Sequence, residues 1–234
     1  GAGGFHEGMK WAYEMGYDWL WLMDDDGVPN YDCLEKLEYA SKEYGLMVVS
    51  PLVVEKNNPS RLAFSLIDRG RRILEACEIY DSHMIEGYVN LFNGVLIKSD
   101  CISKVGLPNK KLFIRGDEVD YFLRLSGMNI SMATVCFATF FHPSGIGEEK
   151  ALFKDRLVVN YTGIQFKDYY MYRNRGYIIR KYRGFIYVLL EFLRYGLFFL
   201  FVRKFDLKGM VFWFKAFWSG FTRVSELESN GDGI

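Results

Sequence analysis

Phe5, Met9 and Tyr13 recur at the spacing of one helical face, and Gly16 follows where such a helix would stop. Trp19 to Met23 is a short unbroken apolar run, the pattern of a buried strand. It ends abruptly in Asp24-Asp25-Asp26, followed by Gly27 and Pro29. Asn30 is placed to cap a second helix over residues 31–44, closed by Gly45, and residues 46–54 read as another strand. Helix, strand, helix, strand in this order predicts an α/β fold. Further on, Asn57-Asn58-Pro59 reads as a loop and residues 69–72 as a basic patch. Residues 88–98 alternate around Asn93-Gly94, which predicts a kinked strand. Ser99 is placed to cap a short helix before Gly106 and Pro108. A helix through Glu118 and Arg124 follows, then a strand over residues 130–141 that His142-Pro143 ends.

The character changes near residue 151, which divides the chain into an α/β portion, 1–150, and a helical, basic and aromatic portion, 151–234. Tyr169 to Arg175 opens a long helical stretch. Residues 184–201 are strongly apolar, and eighteen residues would just span a bilayer if uniformly apolar, but Glu191 and Arg194 interrupt them. Interior charges and flanking arginines favour a helix lying in a membrane interface. Trp213, Phe214, Phe217, Trp218 and Phe221 repeat the theme over residues 208–223.

Charge sharpens this division. The formal net charge is zero, yet residues 1–150 carry −7, residues 151–224 carry +10 and residues 225–234 carry −3. Half the residues are apolar, so a sizeable core is expected and global disorder is excluded. Cys33, Cys77, Cys101 and Cys136 form no CxxC pair and read as buried, reduced thiols of a cytoplasmic protein. Nucleic acid is a poor partner, because the basic residues alternate with long aliphatic runs. The first residues, Gly1-Ala2-Gly3-Gly4, are not preceded by Met, which suggests a fragment with its start upstream.

Three adjacent carboxylates at the carboxyl end of a strand lie where open α/β sheets bind ligands. Alternate residues of an extended segment face one way, so Asp24 and Asp26 can address one ion. Mg²⁺ or Mn²⁺ suits carboxylate oxygens and can bridge to a diphosphate. Asp117 and Glu118, at a helix start, are candidates for a general base that deprotonates a sugar hydroxyl. Asp120 reads as structural. His142 can complete a metal site begun by two aspartates.

Together these residues resemble the GT-A fold, family 2 glycosyltransferases, nearest the galactofuranosyltransferase and rhamnosyltransferase branch. The match runs through Gly1-Ala2-Gly3-Gly4-Phe5, Trp19-Leu20-Trp21-Leu22-Met23-Asp24-Asp25-Asp26, Phe92-Asn93-Gly94 and Lys104-Val105-Gly106-Leu107-Pro108. It continues through Phe113-Ile114-Arg115-Gly116-Asp117-Glu118, His142 and a 170–174 stretch that looks like Tyr-Tyr-x-x-Arg-Asn. The resemblance covers roughly residues 1–180. It implies a Rossmann-like mixed sheet flanked by helices, lacking its N-terminal nucleotide-binding strands, with a C-terminal helical region. It implies Asp24, Asp26 and His142 as ligands of Mn²⁺ or Mg²⁺. Gly3, Gly4, Asp24 and Asp25 would lie on the donor side, and Asn93, Gly94 and Asp117 on the acceptor side. Glu118 would be the catalytic base; relatives often carry Asp there, which keeps Asp117 in play.

The expected activity is metal-dependent, inverting transfer of a sugar from a nucleotide-diphosphate donor, UDP- or dTDP-linked. The acceptor would be a glycan or lipid-linked glycan in cell-surface polysaccharide synthesis, reached from the inner face of the cell membrane. An oligomer is compatible with the sequence. A nucleotidyltransferase and a truncated, non-catalytic membrane- or partner-binding module are the competing readings.

Overall fold

The computed structural model describes residues 1–68, 71–80, 82–152 and 157–228. The elements in chain order are α1 (Ala2–Glu14), β1 (Trp19–Met23), β2 (Val28–Pro29), α2 (Cys33–Tyr44), β3 (Val48–Glu55), β4 (Asn58–Asp68) and β5 (Arg71–Glu75). Then come α3 (Cys77–Tyr80), β6 (Met84–Glu86), β7 (Asn93–Lys98), α4 (Asp100–Val105), α5 (Asp117–Gly127) and β8 (Met132–His142). The chain continues through β9 (Glu149–Leu152), β10 (Leu157–Asn160), α6 (Gln165–Tyr182), α7 (Phe185–Leu197), a π-helical turn (Phe198–Val202), α8 (Leu207–Thr222) and α9 (Val224–Leu227).

The fold is mixed α/β, and the chain forms two compact units. One holds residues 7–107 and 124–146 and carries an open, antiparallel-rich sheet. Strands β1, β7, β3, β4 and β5 follow one another, while β8 runs parallel to β3 and also pairs with β2 and β6. Cys33, Leu37 and Ala40 of α2 pack on Val49, Leu96, Val135 and Ala138 of the sheet. The continuous burial of β3 from Val48 to Val54, Ser50 and Pro51 included, follows from its central place, with strands on both edges.

Several local expectations change. Helix α2 starts at Cys33 with Asp32 at its cap position, and Asn30 instead bonds Asp32 through its side chain. The turn expected at residues 57–59 is shorter, because β4 begins at Asn58 and forms a hairpin with β5. That hairpin occupies a region whose pattern predicted no strand. Arg69 of the basic patch lies outside the described residues. Ser99 holds the cap position of α4, but its hydroxyl donates to the Tyr17 carbonyl. Cys33, Cys101 and Cys136 are buried free thiols, as expected, whereas Cys77 is exposed.

The second unit contains residues 1–6 and 108–123 and the chain from Gly147 onward. Helices α6 and α8 cross at Gly176 and Gly220. A Cβ on either glycine would collide with the facing backbone, at the Phe217 carbonyl and the Arg173 carbonyl respectively. Around this crossing lies an aromatic core of Tyr172, Tyr195, Phe198, Phe199, Trp213 and Phe217.

The charges that interrupt the apolar stretch turn inward. Glu191 is 2% exposed, and its carboxylate accepts from Arg175 of α6 at 2.7 Å and from Arg194. The outer face of α7 and its continuation, with Phe185, Ile186, Leu189, Leu193 and Phe201, is therefore apolar and exposed. Phe185–Val202 is one helical stretch long and apolar enough to cross a membrane, with only 28% of it buried.

Candidate active site

Strand β1 delivers Asp24 to the rim of the sheet, where its N–H donates to the Phe92 carbonyl at 2.8 Å. The chain then turns through Asp25 and Asp26 and returns as β2, which pairs with Phe140 and Phe141 of β8. That pairing brings the turn to His142. Its geometry depends on one ring. Phe140 is fully buried between Gly27 and Gly94, and a Cβ on either glycine would strike it. Gly94 also needs its φ of +79°. Strand β8 reaches this position through an irregularity: Pro51 faces Val135, but the next residue, Leu52, faces Thr139.

The candidate ligand atoms of Asp24, Asp26 and His142 lie within 4.8 Å of one another. His142 Nε2 is 3.0 Å from Asp26 Oδ1, and Nδ1 is 2.6 Å from the Pro143 carbonyl oxygen. An Nδ1–H donated to that carbonyl leaves the Nε2 lone pair directed at the carboxylate. Two lone-pair carriers at this separation call for a cation or a proton between them. Octahedral bonds of about 2.1 Å put neighbouring ligand atoms roughly 3 Å apart, so the pair fits a metal edge. Phe64 packs against the imidazole in a tilted arrangement, with ring centres 4.9 Å apart, and restrains it. Burial, reinforced by Asp26, raises the Asp24 pKa, as expected for carboxylates gathered without a counter-charge.

Asn93 stands opposite Met23 in the β1–β7 ladder. Its Nδ2 donates to Asn90 Oδ1 at 2.8 Å and to the Leu91 carbonyl at 3.2 Å, while its buried Oδ1 has no partner. An unsatisfied acceptor beside three carboxylates suits a substrate hydroxyl. Its residue type and place in the chain mark Asn93 as a candidate, and the fold shows that Oδ1 is the atom left open.

Asp117 and Glu118 begin α5 in the other unit. Burial first, then the neighbouring Glu118 charge and a hydrogen bond with Glu118, hold the Asp117 carboxyl far above its ordinary range. Glu118 also accepts from the Gly116 N–H at 2.9 Å. Within the pair, Asp117 is therefore the member that holds a proton more readily than an ordinary carboxyl. Asp120 accepts from the Tyr182 hydroxyl at 2.7 Å and the Tyr177 hydroxyl at 3.3 Å, so it is structural, as its sequence setting indicated.

The loop before this pair is held in an uncommon conformation. Phe113, Arg115 and Gly116 all have positive φ. Asn174, fully buried on α6, donates to the carbonyls of Leu112, Ile114 and Arg115 at 2.8, 3.0 and 2.5 Å. Arg173 donates to Leu112 and to Asn174 Oδ1, and Arg115 forms a two-pronged ion pair with Glu148 at 2.7 and 2.6 Å. The Arg-Asn dipeptide was visible as a motif; its task of clamping the acidic loop was not. Gly3 and Gly4 sit in the first turn of α1, with open space where a Cβ would lie.

No family model matches the chain. Among characterised proteins, galactofuranosyltransferase GlfT1 of Mycolicibacterium smegmatis is 37% identical over 223 residues, covering 92% of this chain and 73% of the relative. Galactofuranosyltransferase GlfT1 of Mycobacterium tuberculosis is also 37% identical, over 220 residues, covering 92% of this chain and 72% of the relative. A likeness of this extent spans the sheet, the acidic turn, the clamped loop and the helical unit alike, and the chain belongs to the galactofuranosyltransferase GlfT1 family of glycosyltransferases.

Proposed function

We propose that this glycosyltransferase is a GT-A, family 2 enzyme that moves a galactofuranosyl residue from a nucleotide-diphosphate donor to a growing cell-surface glycan, with inversion. The galactofuranosyl choice rests on the names of its relatives. The single observation that carries the mechanism is the convergence of Asp24, Asp26 and His142 Nε2 at a strand end. These three would hold Mn²⁺ or Mg²⁺. Such an ion neutralises charge building on a departing diphosphate. Asn93 Oδ1 accepts from a sugar hydroxyl and orients the ring. Glu118 takes the proton of the attacking acceptor hydroxyl as the new glycosidic C–O bond forms and the bond from C1 to the diphosphate oxygen breaks. Asp117 stays protonated and donates to Glu118, keeping that carboxylate in place.

The test is transfer from UDP-galactofuranose by the wild type and Asp26→Asn, with and without Mn²⁺. Loss of transfer in the variant, and metal dependence in the wild type, are expected. Equal turnover by both would remove the acidic turn from the mechanism.

The acceptor is lipid-linked, and the enzyme works on the inner membrane surface. Exposed Phe185, Ile186, Leu193, Phe201, Phe205 and Trp218 exceed what a soluble monomer shows singly. Residues 180–223 hold nine basic and two acidic side chains. Glu191 is buried against two arginines, and Asp206 caps α8. What remains outward is apolar and cationic, the chemistry of an anionic lipid surface. Flotation of the whole chain with anionic, but not neutral, vesicles is expected; no flotation with either sinks the membrane reading.

A further inference from the structure

Inside the helical unit, the loop after β10, the start of α6, the π-helical turn and the start of α8 line an open cavity of about 250 Å³. That is smaller than the roughly 300–1,000 Å³ of drug-sized sites, and on the scale of one sugar ring. Tyr161, Phe199 and Phe212 give it aromatic walls. Tyr172 closes it from within. This tyrosine is 1% exposed, and its ring is fixed edge-on against Tyr195 and Phe212. Its hydroxyl nevertheless has no hydrogen-bond partner. Burial pushes the pKa of that hydroxyl far above the ordinary phenol range, so it remains a proton donor. A buried donor without an acceptor is destabilising, and a native structure that retains one has a use for it or a bound molecule to satisfy it.

The polar groups around it narrow the ligand. Asp168 is engaged: it accepts from the Thr162 N–H and hydroxyl, each at 2.8 Å, and from the Gly163 N–H at 3.1 Å. Asp206 accepts from the Gly209 N–H at 2.9 Å and pairs with Arg203 at 3.5 Å. Lys208 lines the rim. Two carboxylates are thus matched by two cations. A phosphate would face the carboxylates, and an ammonium would face Lys208 and Arg203. A neutral ring with one C–H face and a rim of oxygens meets none of these penalties: the face lies on aromatic carbon and an oxygen accepts from Tyr172.

We infer that this cavity is a subsite for one neutral sugar residue of the acceptor glycan, anchored by the Tyr172 hydroxyl. The inference rests on the glycosyltransferase reading above. Phe205 and Leu207, immediately before the lining residues Lys208 and Gly209, are exposed on the apolar face. The sugar held here is accordingly the one nearest the lipid.

The test uses the full chain, Tyr172→Phe and Gln165→Trp, which fills the cavity from its rim. Methyl galactofuranoside and inorganic phosphate are probed separately by saturation-transfer NMR, and acceptors of one and of several sugars are compared in transfer assays. The expected result is saturable binding of the glycoside, weakened at least tenfold in both variants. The multi-sugar acceptor should show a KM raised by a similar factor at unchanged kcat, with the one-sugar acceptor unaffected. Binding of phosphate in place of the glycoside overturns the inference. So does a Tyr172→Phe protein that is merely more stable, with binding and KM unchanged, since the hydroxyl would then satisfy nothing but water. If these variants behave as wild type while Asp26→Asn abolishes transfer, the subsite falls and the enzyme reading stands.

Discussion

His142 Nε2 lies 3.0 Å from Asp26 Oδ1 while its other ring nitrogen faces the Pro143 carbonyl oxygen at 2.6 Å. The backbone carbonyl selects the tautomer, and the tautomer leaves a lone pair against a carboxylate. Asp26→Asn exchanges one carboxylate oxygen for an amide group and removes the negative charge. We expect transfer to fall roughly a hundredfold or more, the scale for losing one preorganised electrostatic contact. Mn²⁺ affinity, followed by electron paramagnetic resonance, should fall in parallel; unchanged affinity would show that the ion sits elsewhere.

Chelation offers an independent route to the same site. Treatment with EDTA should abolish transfer, and Mn²⁺ should restore it, because carboxylate oxygens and one imidazole suit that ion. A chelated enzyme that keeps its rate would leave the His142–Asp26 contact as an ordinary hydrogen-bonded ion pair.

The Asp117–Glu118 pair predicts two different variants. Glu118→Gln removes the proposed base and should slow transfer by about 10²–10⁴-fold, the usual worth of a general base. Asp117→Asn keeps a hydrogen-bond donor and should act mainly on stability. Because the folded-state pKa of Asp117 lies above its ordinary value of 3.8, the folded chain binds a proton that the unfolded chain has lost. Its contribution is complete below that ordinary value and disappears as pH rises through the folded one. Thermal unfolding from mildly acid to alkaline pH should therefore show a shallower decline for Asp117→Asn than for wild type.

Asn174→Asp should disable the enzyme without touching the reacting groups. The carbonyls of Leu112, Ile114 and Arg115 would meet a carboxylate oxygen in place of an N–H donor. We expect kcat to fall at least tenfold with donor affinity little changed, and proteolysis to cut faster near residue 113. Normal kcat would mean that the left-handed residues of this loop hold themselves.

Gly220→Ala tests the helix crossing. A methyl group would meet the Arg173 carbonyl, and Arg173 and Asn174 together grip the acidic loop. Overpacking of this kind costs about 1–3 kcal/mol, so the Tm should drop by several degrees. Little or no change would show that α6 and α8 can slide apart freely.

Much of this was legible in the chain itself. The apolar run into Asp24-Asp25-Asp26, the αL stop at Gly45 and the strand ending at His142 all carry strong local patterns, and the structure keeps them. The β4–β5 hairpin was not legible. Arg61, Ser65 and Arg72 give it no clean alternation, and the register slips between Arg61 and Leu66. The inward turn of Glu191 was equally hidden, because its partner Arg175 lies sixteen residues away on another helix. The acidic turn could be named as a site from type and order alone. That His142 arrives through a slipped strand, and that the loop before Asp117 is clamped by an asparagine from α6, are products of tertiary packing.

Phe140 carries one further implication. Its ring fills the space that side chains at Gly27 and Gly94 would need, one glycine following the acidic turn and the other at the start of β7. The three positions thus behave as a single inherited unit. A lineage can reshape the mouth of this site only by altering all three together, and any intermediate with one changed alone passes through a misfitted protein. Among descendants of this chain, these residues should drift as a trio or not at all.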